Sequence, residues 1–343
     1  MPTVVIVTIA VALLFDVFNG LHDAANSIAT VVSTRVLSPR VAVLWAAAFN
    51  FLALWIFKVG VAKTIANTIT IDYHDPAFVY VVMSGVFGAI VWNLITWWLG
   101  LPSSSTHALI GGLLGAGITY AGPSVAKWGE LEPTLVFILL APIIGLVAGS
   151  LIMFIVYWLL RKMRPQKVDR AFRILQLFSA GAYSMGHGGN DAQKTIGVVV
   201  MVLVANGTLH IVGDGPHKGD LVEGIPTWLI FASYGCMAFG TAIGGWRIVK
   251  TMGMGLTHLK PVGGFCAEVA GATTLFVATA LKIPVSTTHT ITGAIVGVGS
   301  VYNSRSVRWG LASRIVWAWV LTIPMAGLVG ALATLITHAF GAW

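Results

Sequence analysis

Long apolar runs recur along the whole chain, separated by short polar turns and interrupted by few charges. A run of about 20 apolar residues is long enough to cross the hydrocarbon core of a bilayer as a helix. The pattern predicts spans over residues 3–33, 41–62, 77–99, 104–121, 134–160, 172–205, 226–246, 262–282, 285–302 and 312–338. Several exceed one crossing, so kinked or broken helices are expected, with about ten to twelve transmembrane or half-membrane helices in all. The expected fold is an all-α polytopic membrane protein. The apolar stretch Val4–Phe15 has no basic segment before it and runs on into Asp16 and Asn19, which reads as a first membrane helix rather than a signal peptide.

Composition sharpens this picture. Apolar residues make up 57% of the chain and charged residues 9%, against about a quarter charged in soluble domains. The net charge of +8 suits a positive-inside bias better than a nucleic-acid partner, and none is expected. One set of loops collects Arg35, Arg40, the run Arg161–Arg173, Arg247, Lys250, Lys260, Arg305, Arg308 and Arg314. The opposite set holds Asp72, Asp75, Glu130, Glu132, Asp214, Asp220 and Glu223. The asymmetry predicts a multi-pass protein of the cell (inner) membrane with both termini outside. Lipid is then a necessary partner. Cys236 and Cys266 lie in apolar stretches and read as packing residues.

Two motif pairs recur in order. Asn19-Gly-Leu-His-Asp-Ala-Ala-Asn-Ser-Ile-Ala29 aligns with His187-Gly-Gly-Asn-Asp-Ala-Gln-Lys-Thr-Ile-Gly197, matching Asp23 to Asp191 and Asn26 to Lys194. Pro102-Ser-Ser-Ser-Thr-His107 aligns with Pro284-Val-Ser-Thr-Thr-His289, and the glycine pairs Gly111/Gly115 and Gly293/Gly297 follow. Residues 1–165 and 166–343 therefore read as an N-terminal and a C-terminal membrane repeat, joined by the basic linker 161–173. The charge rule starts the first repeat outside and the second at the cytoplasmic linker, so the copies are inverted. That plan is frequent in secondary transporters, whose solute site lies near the midplane between repeats.

Four acids fall inside apolar spans: Asp16, Asp23, Asp191 and Glu268. A charge at the bilayer centre costs roughly 2.5–3.5 kcal/mol on insertion scales, so each asks for a partner or a wet cavity. Asp16, Asn19, Asp23, Asn26 and Thr30 fall at spacings of three and four and make one polar stripe. His187, Asp191, Lys194 and Thr195 do the same. A network that only locks helices together is the competing reading. Each Ser/Thr motif reads as a chain break with a helix start behind it. Ser104, Ser105, Ser286 and Thr287 suit N-caps, and the free N–H groups and dipole there attract an anion. Hydroxyls with N–H groups suit a tetrahedral oxyanion, whereas ordinary capping is the plain alternative. His107 and His289 read as core histidines, cap partners or proton carriers. The glycine pairs read as close-packing faces.

These residues resemble the paired signatures of the inorganic phosphate transporter (Pit) family. The resemblance rests on Gly20-Leu-His-Asp-Ala-Ala-Asn26, Gly186-His-Gly-Gly-Asn-Asp191 and the two hydroxyl motifs, and it covers essentially the whole chain. It implies a homodimeric secondary transporter, a symporter that moves inorganic phosphate into the cell on a cation gradient. It implies phosphate contacts from Ser104, Ser105, Thr106, Ser286, Thr287, Thr288, Asn26 and Asn190, and coupling through Asp23, Asp191, Lys194 and Glu268. If sodium is the coupling ion, Asp23, Asn26 and Asp191 would hold it. Sodium-coupled relatives usually carry an acid where this chain has Asn50, and an amide where it has Lys194. Those departures look more like the bacterial low-affinity members read as proton-coupled, which take phosphate as a neutral complex with a divalent metal. Asn50 is also taken as the counterpart of Glu268 by span order.

Charge balance suggests the mechanism. Two buried carboxylates repel phosphate until a proton or cation loads them, which couples the two. Lys194, three residues after Asp191, would pair with it and fill one cation site permanently. No resident cofactor is expected, only a co-transported proton or sodium. A sulfate permease of the same family, a passive anion channel, and an intramembrane hydrolase built on Ser104/His107 or Ser286/His289 are the rivals. The hydrolase is the weakest, because catalysis needs one asymmetric constellation with an orienting third group.

Overall fold

The computed structural model describes residues 2–57, 60–210 and 224–343. Asp214, Asp220, Glu223 and the side chain of Glu130, used above for orientation, lie outside them. Among the described residues the chain is helical throughout, with a single isolated β-bridge between Ile69 and Ala126.

The helices are α1 (Thr3–Ser33), α2 (Pro39–Leu52), α3 (Val61–Ala66), α4 (Phe78–Leu99), α5 (Ser105–Ala121), α6 (Trp128–Leu160), α7 (Pro165–Ala205), α8 (Thr227–Ile243), α9 (Trp246–Val249), α10 (Pro261–Ala280), α11 (Thr287–Asn303) and α12 (Trp309–Ala339). Five of the described helices are long and apolar enough to cross a membrane, or six if α8 counts with the segment after it. The outer faces carry Leu139, Leu151, Trp158, Phe178, Trp317 and Leu332, all exposed. In water such a surface would aggregate, whereas lipid covers it without cost.

Two expected spans and the linker differ in the structure. The predicted span 41–62 is not one helix: α2 tightens into a 3-10 turn at Ala53–Trp55, and α3 follows separately. The span at 226–246 breaks at Gly244, whose φ of +82° is left-handed. The chain bends there by 61° into α9 and a π-helical turn, Lys250–Gly255. The basic run expected as a loop is helical from Pro165, because proline at N1 with Arg164 extended before it is an ideal helix start. Lys167, Arg170 and Arg173 therefore ride on the first turns of α7. Arg173 pairs with Asp169 at 3.0 Å and donates to the Arg35 carbonyl at 3.0 Å.

Local rules build the two breaks that shape the centre. Gly100 ends α4 in the left-handed region (φ +66°), with Leu101 N–H donating to the Thr96 carbonyl. Lys282 takes the same conformation after α10 (φ +61°), with Ile283 N–H donating to the Ala278 carbonyl. This is a Schellman-type stop. Proline follows each stop, and a serine then caps the next helix. Ser104 Oγ accepts from His107 N–H at 3.3 Å, and Ser286 Oγ from His289 N–H at 3.2 Å.

The glycine pairs let backbones touch. A β-carbon on Gly111 or Gly115 would meet the backbone of α12 at Ile323 and Gly327, and one on Gly293 or Gly297 that of α6 at Pro142 and Leu146. α5 thus beds on α12, and α11 on α6.

Candidate functional site

The polar stripe predicted for α1 is buried along its length: Asp16, Asn19, Asp23, Asn26 and Thr30 are all 0–1% exposed. From Asp16 to Thr34 it runs for about 27 Å at the helical rise, nearly the thickness of the hydrocarbon core. α7 lays a second stripe against it, formed by Gln176, Ser179, Tyr183, His187, Asp191, Lys194 and Thr195. The two run antiparallel. Thr34 donates to Gln176 Oε1 at 2.9 Å, Asp23 lies with His187 and Asp191, and Asp16 lies beside Thr195.

Halfway along, the two helix starts converge on α1. Ser105 donates to Asp23 Oδ2 at 2.9 Å, and Thr288 faces Asp23 Oδ1 at 3.4 Å. Asn26 donates to Thr288 Oγ1 at 2.8 Å and to Thr287 Oγ1 at 3.3 Å. Thr106 donates to the Val285 carbonyl at 3.3 Å, and the rings of His107 and His289 meet edge to face at 4.7 Å. Tyr183 pins the start of α11 by donating to the Thr287 carbonyl at 3.0 Å. The N-termini of α5 and α11 therefore face each other beside Asp23, and their dipoles and free N–H groups point into one place.

The sequence-predicted residues take distinct positions around this point. Ser104 and Ser286 are the caps, while Ser105 and Thr287 are the first helical residues. Asn190 lies apart, donating to Thr279 at 3.2 Å and the Ile283 carbonyl at 3.4 Å, under the break before α11. Lys194 Nζ lies 2.7 Å from Asp191 Oδ1, with both side chains fully buried. One ligand atom each of Asp23, His187 and Asp191 lies within 4.8 Å of the others. A cation would fit that donor set, but Lys194 already neutralises Asp191, and the His22 ring faces Asp23 at 2.9 Å.

Glu268 does not stand opposite Asn50. In element order α10 corresponds to α4. Glu268 lies sixteen residues before Pro284, and the residue sixteen before Pro102 is Val86. Glu268 instead gathers three donors at the far end of the stripes: Thr30 at 2.6 Å, Gln176 at 3.0 Å, and Ser179. Asn50 sits on α2, accepting from or facing His187 Nδ1 at 3.2 Å and donating to Thr241 at 2.9 Å.

Some partners escape the sequence pattern. Thr96 and Ser103 hold the outer edge of the His22 ring, at 3.0 and 3.3 Å from Nε2; Ser103 belongs to the first hydroxyl motif, whereas nothing in the spacing marks Thr96. Gln193 turns toward the start of α3 and accepts from Gly60 and Val61 N–H at 2.8 Å. By contrast, Gln176, Ser179 and Tyr183 continue the α7 stripe at steps of three and four, so the face they share is readable from spacing, though not their partners.

Fold and site together define an all-α polytopic membrane protein that encloses a charged, hydroxyl-rich centre where two helix starts meet two antiparallel polar stripes. Residues 19–330 match the model of the phosphate transporter family. The chain belongs to the phosphate transporter family, a family of transporters and not of enzymes. It is 52% identical over 326 residues to a probable low-affinity inorganic phosphate transporter of Rhizobium meliloti (strain 1021), covering 94% of this chain and 93% of that one. It is 40% identical to a protein of the same description from Bacillus subtilis (strain 168), over 98% of this chain and 99% of that one. Its fold is similar to a solved structure described as the sodium-dependent phosphate transporter, with a TM-score of 0.84, 24% identity, and coverage of 98% of this chain and 99% of that one.

Proposed function

We propose that this chain is a secondary active transporter that carries inorganic phosphate into the cell on a cation gradient, with the proton favoured over sodium. The meeting of two serine-capped helix starts at Asp23 and Asn26 is the observation that carries this reading. Inward N–H groups with the hydroxyls of Ser105, Thr106, Thr287 and Thr288 offer donors from several directions to a tetrahedral oxyanion. Ser104 and Ser286 hold the helix starts, and Asn26 orients the α11 hydroxyls. Asn190 supports the loop behind them. Both curated relatives described above are named for inorganic phosphate, which supports phosphate over sulfate.

Coupling follows from charge. Asp23 lies beside the anion seat and repels phosphate until a proton or cation neutralises it. Asp191 needs no mobile ion, because Lys194 fills that place. This leaves one cation position fewer than a site with two free carboxylates and supports protons as the coupling ion. A divalent metal bound to phosphate would lower the anion's charge in the same way. The antiparallel run of α1 and α7, which carry the matching motifs, supports inverted repeats and alternating access. Termini facing outside and assembly as a homodimer complete the reading.

Radiolabelled phosphate uptake into proteoliposomes tests it, with imposed pH and sodium gradients, sulfate competition, and Asp23→Asn as control. Accumulation against a gradient, driven by pH and abolished in Asp23→Asn, is expected. Uptake that requires sodium and ignores pH refutes the proton reading. Equilibration without accumulation refutes the carrier.

A further inference from the structure

Of the four carboxylates in the bundle, three are answered by donors or counter-charges. Asp23 accepts from Ser105 and faces His22, Asp191 is joined to Lys194, and Glu268 collects three donors. Asp16 has no such company. It is fully buried, and neither carboxylate oxygen has a hydrogen-bond partner. The hydroxyls beside it, Thr195 on α7 and Ser233 on α8, are buried and unbonded as well. Asn19, one turn along the same stripe, is also unpartnered.

The surrounding elements bring Asp16 no counter-charge. The charged groups that act on it are Asp191 and Lys194 of α7, which oppose each other and are already paired. α8 contributes Tyr234 and Cys236, both neutral groups. Tyr80 of α4 packs toward Trp343, and His107 and His289 of α5 and α11 pack on each other. Glu268 of α10 bonds Thr30, at the opposite end of the stripe. Arg247 of α9 donates to the Trp98 carbonyl, and Arg40 of α2 and Lys250 of the π-helical turn are exposed. A bare buried carboxylate costs several kcal/mol in desolvation. A proton removes that charge, and the resulting O–H can donate to Thr195 or Ser233.

We propose that Asp16 is a proton-carrying carboxyl of the transport cycle, placed beside the hydroxyls of Thr195 and Ser233 and separate from the Asp23–Asp191 centre. It lies two helical turns from Asp23, about 10 Å along α1. The carboxylate takes one proton from one side of the membrane and releases it to the other, and no other bond forms or breaks. The role rests on the proton-coupled reading above.

Asp16→Asn is isosteric, permanently neutral, and still able to bond both hydroxyls. In proteoliposomes at equal pH, exchange of labelled for unlabelled phosphate should stay near the wild-type rate. Accumulation driven by a pH gradient should fall by about tenfold or more, and Asp16→Glu should restore part of it. Infrared spectra of the wild type should show a protonated-carboxyl C=O stretch that disappears in Asp16→Asn and persists in Asp23→Asn. Accumulation by Asp16→Asn at the wild-type level overturns the proposal. So does equal loss of exchange and accumulation in a folded variant, which marks a structural or anion-binding residue. If Asp16→Asn does not fold, the carboxyl band of Asp16→Glu must be shifted from the wild type, and an unshifted band overturns the proposal. If the wild type follows sodium and ignores pH, the coupling reading fails. The infrared band then decides Asp16 alone, for or against.

Discussion

Replacing Lys194 with methionine tests whether the buried pair on α7 is a true charge partnership. Lys194 Nζ and Asp191 Oδ1 are 2.7 Å apart, and both side chains are fully buried. Removing one member of a buried pair leaves the other uncompensated, which costs about 3–5 kcal/mol. His187 Nε2 stands 3.5 Å from the second carboxylate oxygen without a hydrogen bond to it, so the expected destabilisation is at least about 3 kcal/mol. The double variant Asp191→Asn/Lys194→Met removes both charges and keeps the volume. Exchanging a whole buried pair for uncharged groups is often neutral, so its loss should stay under about 1 kcal/mol. The cycle therefore predicts a coupling energy of about 2 kcal/mol or more. The assay is equilibrium unfolding in mixed detergent micelles, followed by circular dichroism, on the wild type, both single variants and the double. A loss under about 1 kcal/mol for Lys194→Met alone, or additive losses around the cycle, refutes the reasoning.

Three further outcomes follow from the same geometry. Gly115→Val should destabilise by about 1–3 kcal/mol, because its side chain runs into the Gly327 backbone of α12; Gly310→Ala, which meets nothing within 4 Å, is the control, read by thermal unfolding in detergent. Ser105→Ala removes the donor to the Asp23 carboxylate, a charge-assisted bond of about 1.5–3 kcal/mol. Its unfolding stability should fall by about 1.5–3 kcal/mol and its phosphate uptake efficiency by roughly ten- to a hundredfold, and Ser105→Thr should keep most of both. Glu268→Gln turns an acceptor for three donors into a group with one oxygen and an NH2. It should cost about 1–3 kcal/mol of stability in the same micelles, and an unchanged unfolding midpoint would show that the three donors do not matter.

Hydrophobic patterning reads the long helices well, because burial and lipid exposure both demand apolar length. The ends of α1, α4, α5, α10, α11 and α12 fall within three residues of the spans predicted for them. It fails where a break depends on backbone chemistry. Nothing apolar distinguishes the 3-10 turn at Ala53–Trp55 from a continuing helix, and the predicted span 41–62 runs across it. The hydroxyl motifs were legible down to their chemistry, since proline followed by serine encodes a stop and a cap. The antiparallel register of α1 on α7 was not, because periodicity fixes the face of a helix and not what slides against it. Hence Asp23 and Asp191 are readable as important residues. Yet the partners of Glu268, drawn from Thr30, Gln176 and Ser179, emerge only once the two stripes are laid side by side.

That register also explains why matching residues differ in consequence. Three positions after Asp23 stands Asn26, which gives its amide to the hydroxyls of Thr287 and Thr288 at the start of α11. Three positions after Asp191 stands Lys194, which spends its ammonium on the aspartate itself. The first half thus commits its residue to the facing helix start, and the second commits it to charge balance. With Asp191 answered within its own helix, one carboxylate at the helix starts is left without a fixed cation: Asp23, which faces the His22 ring. On the proposed reading, a single mobile charge at Asp23 is then enough to turn the seat from repulsive to attractive. On that reading, the position that breaks the symmetry of the two motifs limits the mobile charge this centre needs to one, apart from any proton carried at Asp16.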